Sequence, residues 1–432
     1  MPTTLSSLPN EILHQIALLS GNDVKNLRAA NKSVNAAVDR ATWEVLPIVL
    51  NLSLKNLDRN ITMLEELSHA SASADRFLVL DIKSLDPSRR RDNISFRDLW
   101  VVGEIEEDTE KVTEARRKLP EIVSKALSAL KGLEVVRWLT TQNDPENVHV
   151  AVIESLGSLP HLVDLQINIE TCGNIPPLHY LKNESLRNLA IQQRRDKISE
   201  PVGQASEGLL HLLRSESVQG LESLDVSDAC EDRDERSNQL AHQFSDEVLH
   251  RLRSTLKKLT LIPSYTGDWT VGLDSLSRFD ECTQLTYLCV AFSPDEVRPG
   301  AGDNDVVASF IARIARLSNL PTLVVVPVCS RSYNLARQDV DRPPMVKMRI
   351  LEEIKDSVRK TVLPDTFRTP YRPLRIVLLL GLTSYWQQRT EEFRSYMSLD
   401  GDGGQGGMLM RFQYFNSGMC SRLLGENCDI TF

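Results

Sequence analysis

A short apolar pattern, Leu-x-x-Leu-x-(Leu/Ile/Val), recurs along most of the chain and limits the fold more than any other feature. It reads Phe77-x-x-Leu80-x-Ile82, Leu133-x-x-Val136-x-Trp138, Leu162-x-x-Leu165-x-Ile167 and Leu186-x-x-Leu189-x-Ile191. It continues as Leu221-x-x-Leu224-x-Val226, Leu256-x-x-Leu259-x-Leu261 and Leu285-x-x-Leu288-x-Val290, then Leu320-x-x-Leu323-x-Val325 and Leu374-x-x-Val377-x-Leu379. From Leu133 onward the starts lie 29, 24, 35, 35, 29, 35 and 54 residues apart. Alternation of apolar and other residues over so short a run is strand periodicity, and it sends the apolar side chains to one face and the intervening ones to the other.

Between these strands the spacing changes to that of helices. Leu57, Ile61, Leu64 and Leu67 form one stripe, and Leu119, Ile122, Val123, Ala126, Leu127 and Leu130 form another. Further stripes are Val248, Leu249 and Leu252; Val306, Phe310, Ile311, Ile314 and Leu317; and Ile350, Leu351, Ile354 and Val358. One strand–helix unit cannot bury its apolar edge alone, so several must stack. The pattern resembles the leucine-rich-repeat family. That resemblance implies an α/β fold, an irregular solenoid with a parallel sheet of short strands on the concave side and helices on the convex side. The alternative is a non-repetitive α/β domain of βα units. The strands lack the continuous Val/Ile runs and glycine-rich first turn of a dinucleotide-binding sheet. Polar stretches at 84–113, 194–207, 228–238, 293–305 and 330–344 are expected to be loops. Tyr396 to Leu399 reads as the end of a helix.

The first forty-odd residues differ in kind. Ser6 or Ser7 can cap a helix that has Pro9 in its first turn and Glu11 near its positive end. Leu8, Ile12, Leu13, Ile16 and Leu19 follow at helical spacing before Gly21. A second helix is expected after Asp23, with Val24, Leu27, Ala30, Val34 and Val38 on one stripe. Two or three short helices bury little apolar surface by themselves, so such a module leans on a neighbour.

The ordered set Leu8-Pro9-Asn10-Glu11-Ile12-Leu13, Ile16, Asp23-Val24, Leu27-Arg28, Lys32 and Thr42-Trp43 is similar to the F-box family. The resemblance implies docking on a Skp-family adaptor and, through it, on a cullin scaffold. It places Leu8 and Pro9 at the adaptor interface, with Ile12, Ile16 and Val24 packed beside them. The expected organisation is an F-box over 1–46 and a repeat-like domain with polar insertions over 47–432.

Other function classes find little support. The net charge is −9 and the pI about 5.5, which argues against a chain built to grip phosphates, so no nucleic-acid partner is expected. The amino terminus has no secretion-signal pattern, and no apolar run approaches the ~20 residues of a membrane span. The expected location is intracellular, in cytoplasm and/or nucleus, with no membrane partner. The seven cysteines include no CxxC, the eight histidines no HExxH, and no metal or cofactor is expected. Gly401, Gly403 and Gly406 satisfy GxGxxG without the strand and helix that would make it a phosphate cradle. No nucleophile–base constellation stands out, so the chain reads as a non-catalytic receptor.

Target recognition is expected on residues between the apolar positions: Asp164 and Gln166, Arg187 and Asn188, Glu222 and Asp225, Lys257 and Lys258, Thr286 and Tyr287. Lys257, Lys258 and Tyr287 are the candidates for holding a protein substrate, Tyr287 because an aromatic ring gives large contact area at low entropic cost. The reading is thus the substrate receptor of an SCF-type ubiquitin ligase. The alternative is a leucine-rich-repeat interaction scaffold with no ligase role.

Overall fold

The apolar triplets form strands that lie side by side and in register. The computed structural model describes residues 13, 16, 47–53, 56–69, 77–88, 110–141, 143–169, 176–193, 205–227, 235–263, 267–292, 297, 305–328, 342–364, 374–380, 389–399 and 408–419. The architecture is mixed α/β, and the chain divides into two compact units. Unit 1 comprises residues 1–200 and 215–220, and unit 2 comprises 201–214 and 221–432.

In unit 1 the strands are β1 (Ile48–Asn51), β2 (Val79–Ser84), β3 (Val135–Thr140), β4 (Asp164–Ile169) and β5 (Asn188–Gln193). They follow one another in sequence order, all parallel. Leu80, Val136, Leu165 and Leu189 form one cross-strand row, and Ile82, Trp138, Ile167 and Ile191 the next. Every member of both rows is at most 2% exposed. The strands are linked by α1 (Leu57–His69), α2 (Glu110–Ala129) and α3 (Glu146–Gly157), which pack each on the next. Trp138 meets His149 of α3 edge-on at 5.1 Å between ring centroids, which puts α3 on the apolar face of the sheet. Between β4 and β5, the shortest step in the sequence, the described residues form a 3₁₀ turn (Leu178–Tyr180). Asn183 there donates to the carbonyls of Leu156 and Leu159 at 3.0 and 2.8 Å, the first of which also accepts the Leu159 N–H, and so ties this turn to the end of α3.

Unit 2 starts with α4 (Ala205–Arg214) and β6 (Ser223–Ser227). Helix α5 (Glu235–Gln243) continues through a π-helical stretch, Phe244–Leu249, into β7 (Lys258–Ile262). A 3₁₀ segment (Leu273–Phe279), β8 (Tyr287–Phe292), α6 (Val306–Ile314) and β9 (Thr322–Pro327) follow. Asp305 caps α6 by accepting the Ala308 N–H at 2.9 Å. Phe310 of α6 stands edge-on to Phe279 and Phe292, tying helix to strand. The unit ends with α7 (Arg342–Lys360), β10 (Val362–Pro364), β11 (Arg375–Leu380), β12 (Arg389–Leu399) and β13 (Met408–Met419). The strand order is β6-β7-β8-β9-β11-β12-β13-β10. Pairing is parallel from β6 to β11 and antiparallel from β11 to β10. Leu224, Leu259, Leu288, Leu323 and Ile376 make one row, and Val226, Leu261, Val290, Val325 and Leu378 the next.

That register corrects the frame of the last repeat. Ile376 and Leu378 align with the inward residues of β9, so Val377 points to the other face. Five consecutive apolar residues, Ile376 to Leu380, carry no alternation, and such a strand does not reveal its facing from sequence. The expected helix end at Tyr396–Leu399 is instead the end of β12. The glycine-rich segment after it joins two antiparallel strands rather than a strand and a helix. Four of the stretches expected as loops run into helices, which begin at Glu110, Ala205, Glu235 and Arg342. The charged first turn of an amphipathic helix has a loop's composition.

Candidate partner-binding face

Each strand alternates, so the face away from the helices is built from the residues between the apolar positions. In unit 1 this face, free of the described helices, is mixed: Val49, Val79, Val135, Leu139 and Ala190 are interspersed with polar and charged residues. Asp81 and Lys83 on β2, Arg137 on β3, Asp164, Gln166 and Asn168 on β4, and Asn188 on β5 all lie on it. Register sets Arg137 between Asp81 and Gln166. The Arg137 Nη1 is 3.8 Å from Asp81 Oδ1, and the Lys83 Nζ is 3.7 Å from Asp81 Oδ2. Asp81 is buried, whereas the side chains of Arg137 and Lys83 are 44% and 52% exposed. Gln166 Nε2 lies 3.4 Å from both oxygens of Asp164. Burial pushes the Asp164 carboxyl above its ordinary value, opposed by the Gln166 contact and by the Arg137 charge.

The same face of unit 2 has another character. Asp225, Lys258 and Thr260 are accessible, but Ile262, Cys289, Val324, Val326 and Val377 form a buried apolar cluster, with Tyr287 packed against it. Lys258 and Tyr287 sit opposite each other on neighbouring strands. Lys257 lies one residue before β7, and its Nζ pairs with Glu222 Oε2 at 2.6 Å. Its carbonyl also accepts the N–H groups of Thr286 and Tyr287 at 2.7 and 3.1 Å. The structure therefore brings Lys258 and Tyr287 together, sends Lys257 to Glu222, and leaves Tyr287 half-buried rather than open. Of the residues expected at the adaptor interface, Leu8, Pro9, Ile12 and Val24 lie outside the described residues. Ile16 is helical and half-buried, three positions after the buried, helical Leu13.

Asp81, Lys83 and Arg137 were not among the expected target-binding positions, although the repeat pattern finds two of them. Asp81 and Arg137 occupy the x between the second and third apolar residues of the first two repeats, as Gln166 does in the next.

A second polar group sits inside unit 1. The Asp144 carboxylate accepts Thr141 N–H at 2.7 Å, Thr141 Oγ1–H at 2.8 Å and Leu85 N–H at 3.0 Å. His149 Nε2 is 3.4 Å from it. The side chains of Asp144 and His149 are both 0% exposed, so this pair braces the ends of β2 and β3 and meets no solute. Among the described residues no group of three or more His, Cys, Asp or Glu side chains is placed to hold a metal ion. Cys282 and Cys289 are buried thiols outside any disulfide, and burial pushes the Cys282 thiol up to about 11, away from the reactive thiolate. No described helix is long and apolar enough to cross a membrane.

No family model matches the chain, and no curated protein is significantly similar to it.

Proposed function

We propose that this chain is the substrate-recognition subunit of a cullin-based, SCF-type ubiquitin ligase inside the cell. In this reading residues 1–46 are an F-box that holds a Skp-family adaptor through Leu8, Pro9, Ile12, Ile16 and Val24. The remainder is an irregular leucine-rich-repeat array that presents a protein target. The ordered Leu8-to-Trp43 set carries the reading. The succession of parallel strands, with leucines in register and polar residues on the helix-free face, supports the second half of it. Such a receptor makes and breaks no bond; it raises the effective concentration of target lysines near the ubiquitin-charged enzyme.

The test is co-purification from cells, comparing the full chain with the Leu8→Ala/Pro9→Ala variant. Truncating two buried interface anchors commonly costs ~2 kcal/mol or more each, which lowers affinity by more than an order of magnitude. Adaptor and cullin should be recovered with the first and lost with the second. One observation favours an interaction scaffold without a ligase link: Ala17, Ala30, Asn31 and Val34 are smaller or more polar than the F-box pattern usually has there. Recovery of other proteins but no adaptor with the unaltered chain would select that reading.

A further inference from the structure

We propose that the helix-free face of unit 1 docks an acidic, extended peptide segment of a protein partner, with one carboxylate seated on Arg137 and Lys83. This rests on the receptor reading above and names the partner's chemistry.

Three observations lead to it. First, the two cations on this face are in Coulombic range of Asp81 but not hydrogen-bonded to it. Arg137 and Lys83 stand 3.8 and 3.7 Å from Asp81, beyond hydrogen-bond length, and Asp81 Oδ1 is buried with no donor. Among the described residues, neither cationic head group makes a hydrogen bond. The Arg137 guanidinium thus keeps its planar fork of N–H donors open, the geometry that matches a carboxylate bidentately.

Second, exposure is unequal. The face holds two cations and two carboxylates, but Asp81 is only 12% exposed in its side chain, against 44% and 52% for the cations. Asp164 is half-buried. The charge facing outward is positive, while the carboxylates beneath hold the cations in place. A partner with a single negative charge complements that arrangement. A phosphate, with nearly two, meets the repulsion of Asp81 and Asp164 as well.

Third, the adjoining positions suit a peptide main chain. Asn168 and Asn188 present carboxamides on the same face, each half-exposed, beside the ladder that carries Arg137 and Gln166. A carboxamide offers both donor and acceptor, as an extended backbone requires.

The experiment is fluorescence anisotropy of the full chain with three labelled Gly-Ser peptides of equal length, bearing regularly spaced glutamate, glutamine or phosphoserine. The glutamate peptide should bind at ~0.1 M salt, release at several-fold higher salt, and outbind the other two. Arg137→Gln and Lys83→Gln should each weaken it roughly tenfold, and Asp81→Asn should tighten it. Melting curves establish that the variants fold, and Lys83, an exposed side chain, keeps the test open if Arg137→Gln does not. Three outcomes overturn the proposal: no glutamate-peptide binding, an affinity unchanged by both charge removals, or tighter binding of the phosphoserine peptide. The Leu8→Ala/Pro9→Ala variant should bind the glutamate peptide normally, so failure here and loss of the adaptor assignment are read separately.

Discussion

The Asp144 carboxylate accepts the backbone N–H of Leu85 at 3.0 Å, although 59 residues separate the two along the chain. With the two bonds from Thr141, it joins the residues that follow β2 to those that follow β3. Backbone groups leaving a buried strand need partners, and here one side chain supplies them for two strands.

Asp144→Ala should therefore destabilise unit 1 by ~3 kcal/mol or more, because three buried donors lose their acceptor at once. Asp144→Asn, which keeps one acceptor oxygen, should cost visibly less. Urea unfolding of the two variants beside the parent checks the order. A loss below ~1 kcal/mol for the alanine variant would mean that water reaches these donors.

Leu224→Ala and Lys257→Ala should separate by a wide margin. Leu224 is 1% exposed in the central apolar row of β6 to β11, so its truncation leaves a cavity and should cost ~2–5 kcal/mol. Lys257 loses an ion pair to Glu222 whose partners are 52% and 41% exposed, and should stay within ~0.5 kcal/mol. Thermal melts of both variants test this.

The leucine rows were legible because period-two alternation survives wherever only one face of a strand is apolar, as in Asp164-Leu165-Gln166-Ile167. Legibility failed where both faces are apolar. From Tyr287-Leu288-Cys289-Val290 onward the outward residues are themselves hydrophobic, which hid the cluster of Ile262, Cys289, Val324, Val326 and Val377 and shifted the last frame to Val377. The same effect placed Tyr287 among exposed anchors when it packs on that cluster. Helix α3 went unread because its two sides are blurred: Val150 and Ala151 share the outward side with Glu146, Asn147 and Glu154, while His149 and Ser155 are buried among Val148, Val152, Ile153 and Leu156. The ion row of Asp81 and Arg137 needed pairing across strands, which no single segment encodes.

Asp164 makes a pH prediction whose sign can be worked out. Burial raises its folded-state pKa above the ordinary 3.8, so between the two values the folded chain holds a proton that the unfolded chain has lost. Its contribution to stability is present at low pH and is lost as pH rises through the raised value. Asp164→Asn removes the penalty of burying the charge. The variant should melt above the parent at pH 7, with the difference shrinking as pH falls toward 3.8. A difference that grows on acidification would reverse the assignment.

Reversing Lys257 and Lys258 to glutamate together probes the unit 2 face. The change sets a carboxylate in place of the Lys257 ammonium beside Glu222, a like-charge contact on an exposed edge that should cost no more than ~1 kcal/mol. Adaptor recovery should persist while a subset of other bound proteins disappears from the mass-spectrometric list. An unchanged list would leave the corresponding face of unit 1 as the recognition surface.

A ladder of parallel strands carries no internal instruction to stop, since each strand offers the next the same row of unpaired backbone groups. In unit 2 the chain supplies the stop by reversing direction at β12 and β13 and then placing β10 last. Strand β10 spans three residues and ends in Pro364, which has no N–H to offer. It covers β13 only along Leu409–Arg411, so a foreign strand that met β10 itself would find few donors to register against. Among the described residues, the run of parallel strands in unit 2 thus gives way to an antiparallel segment that closes with its shortest strand, a limit to the ladder written into the chain's own topology.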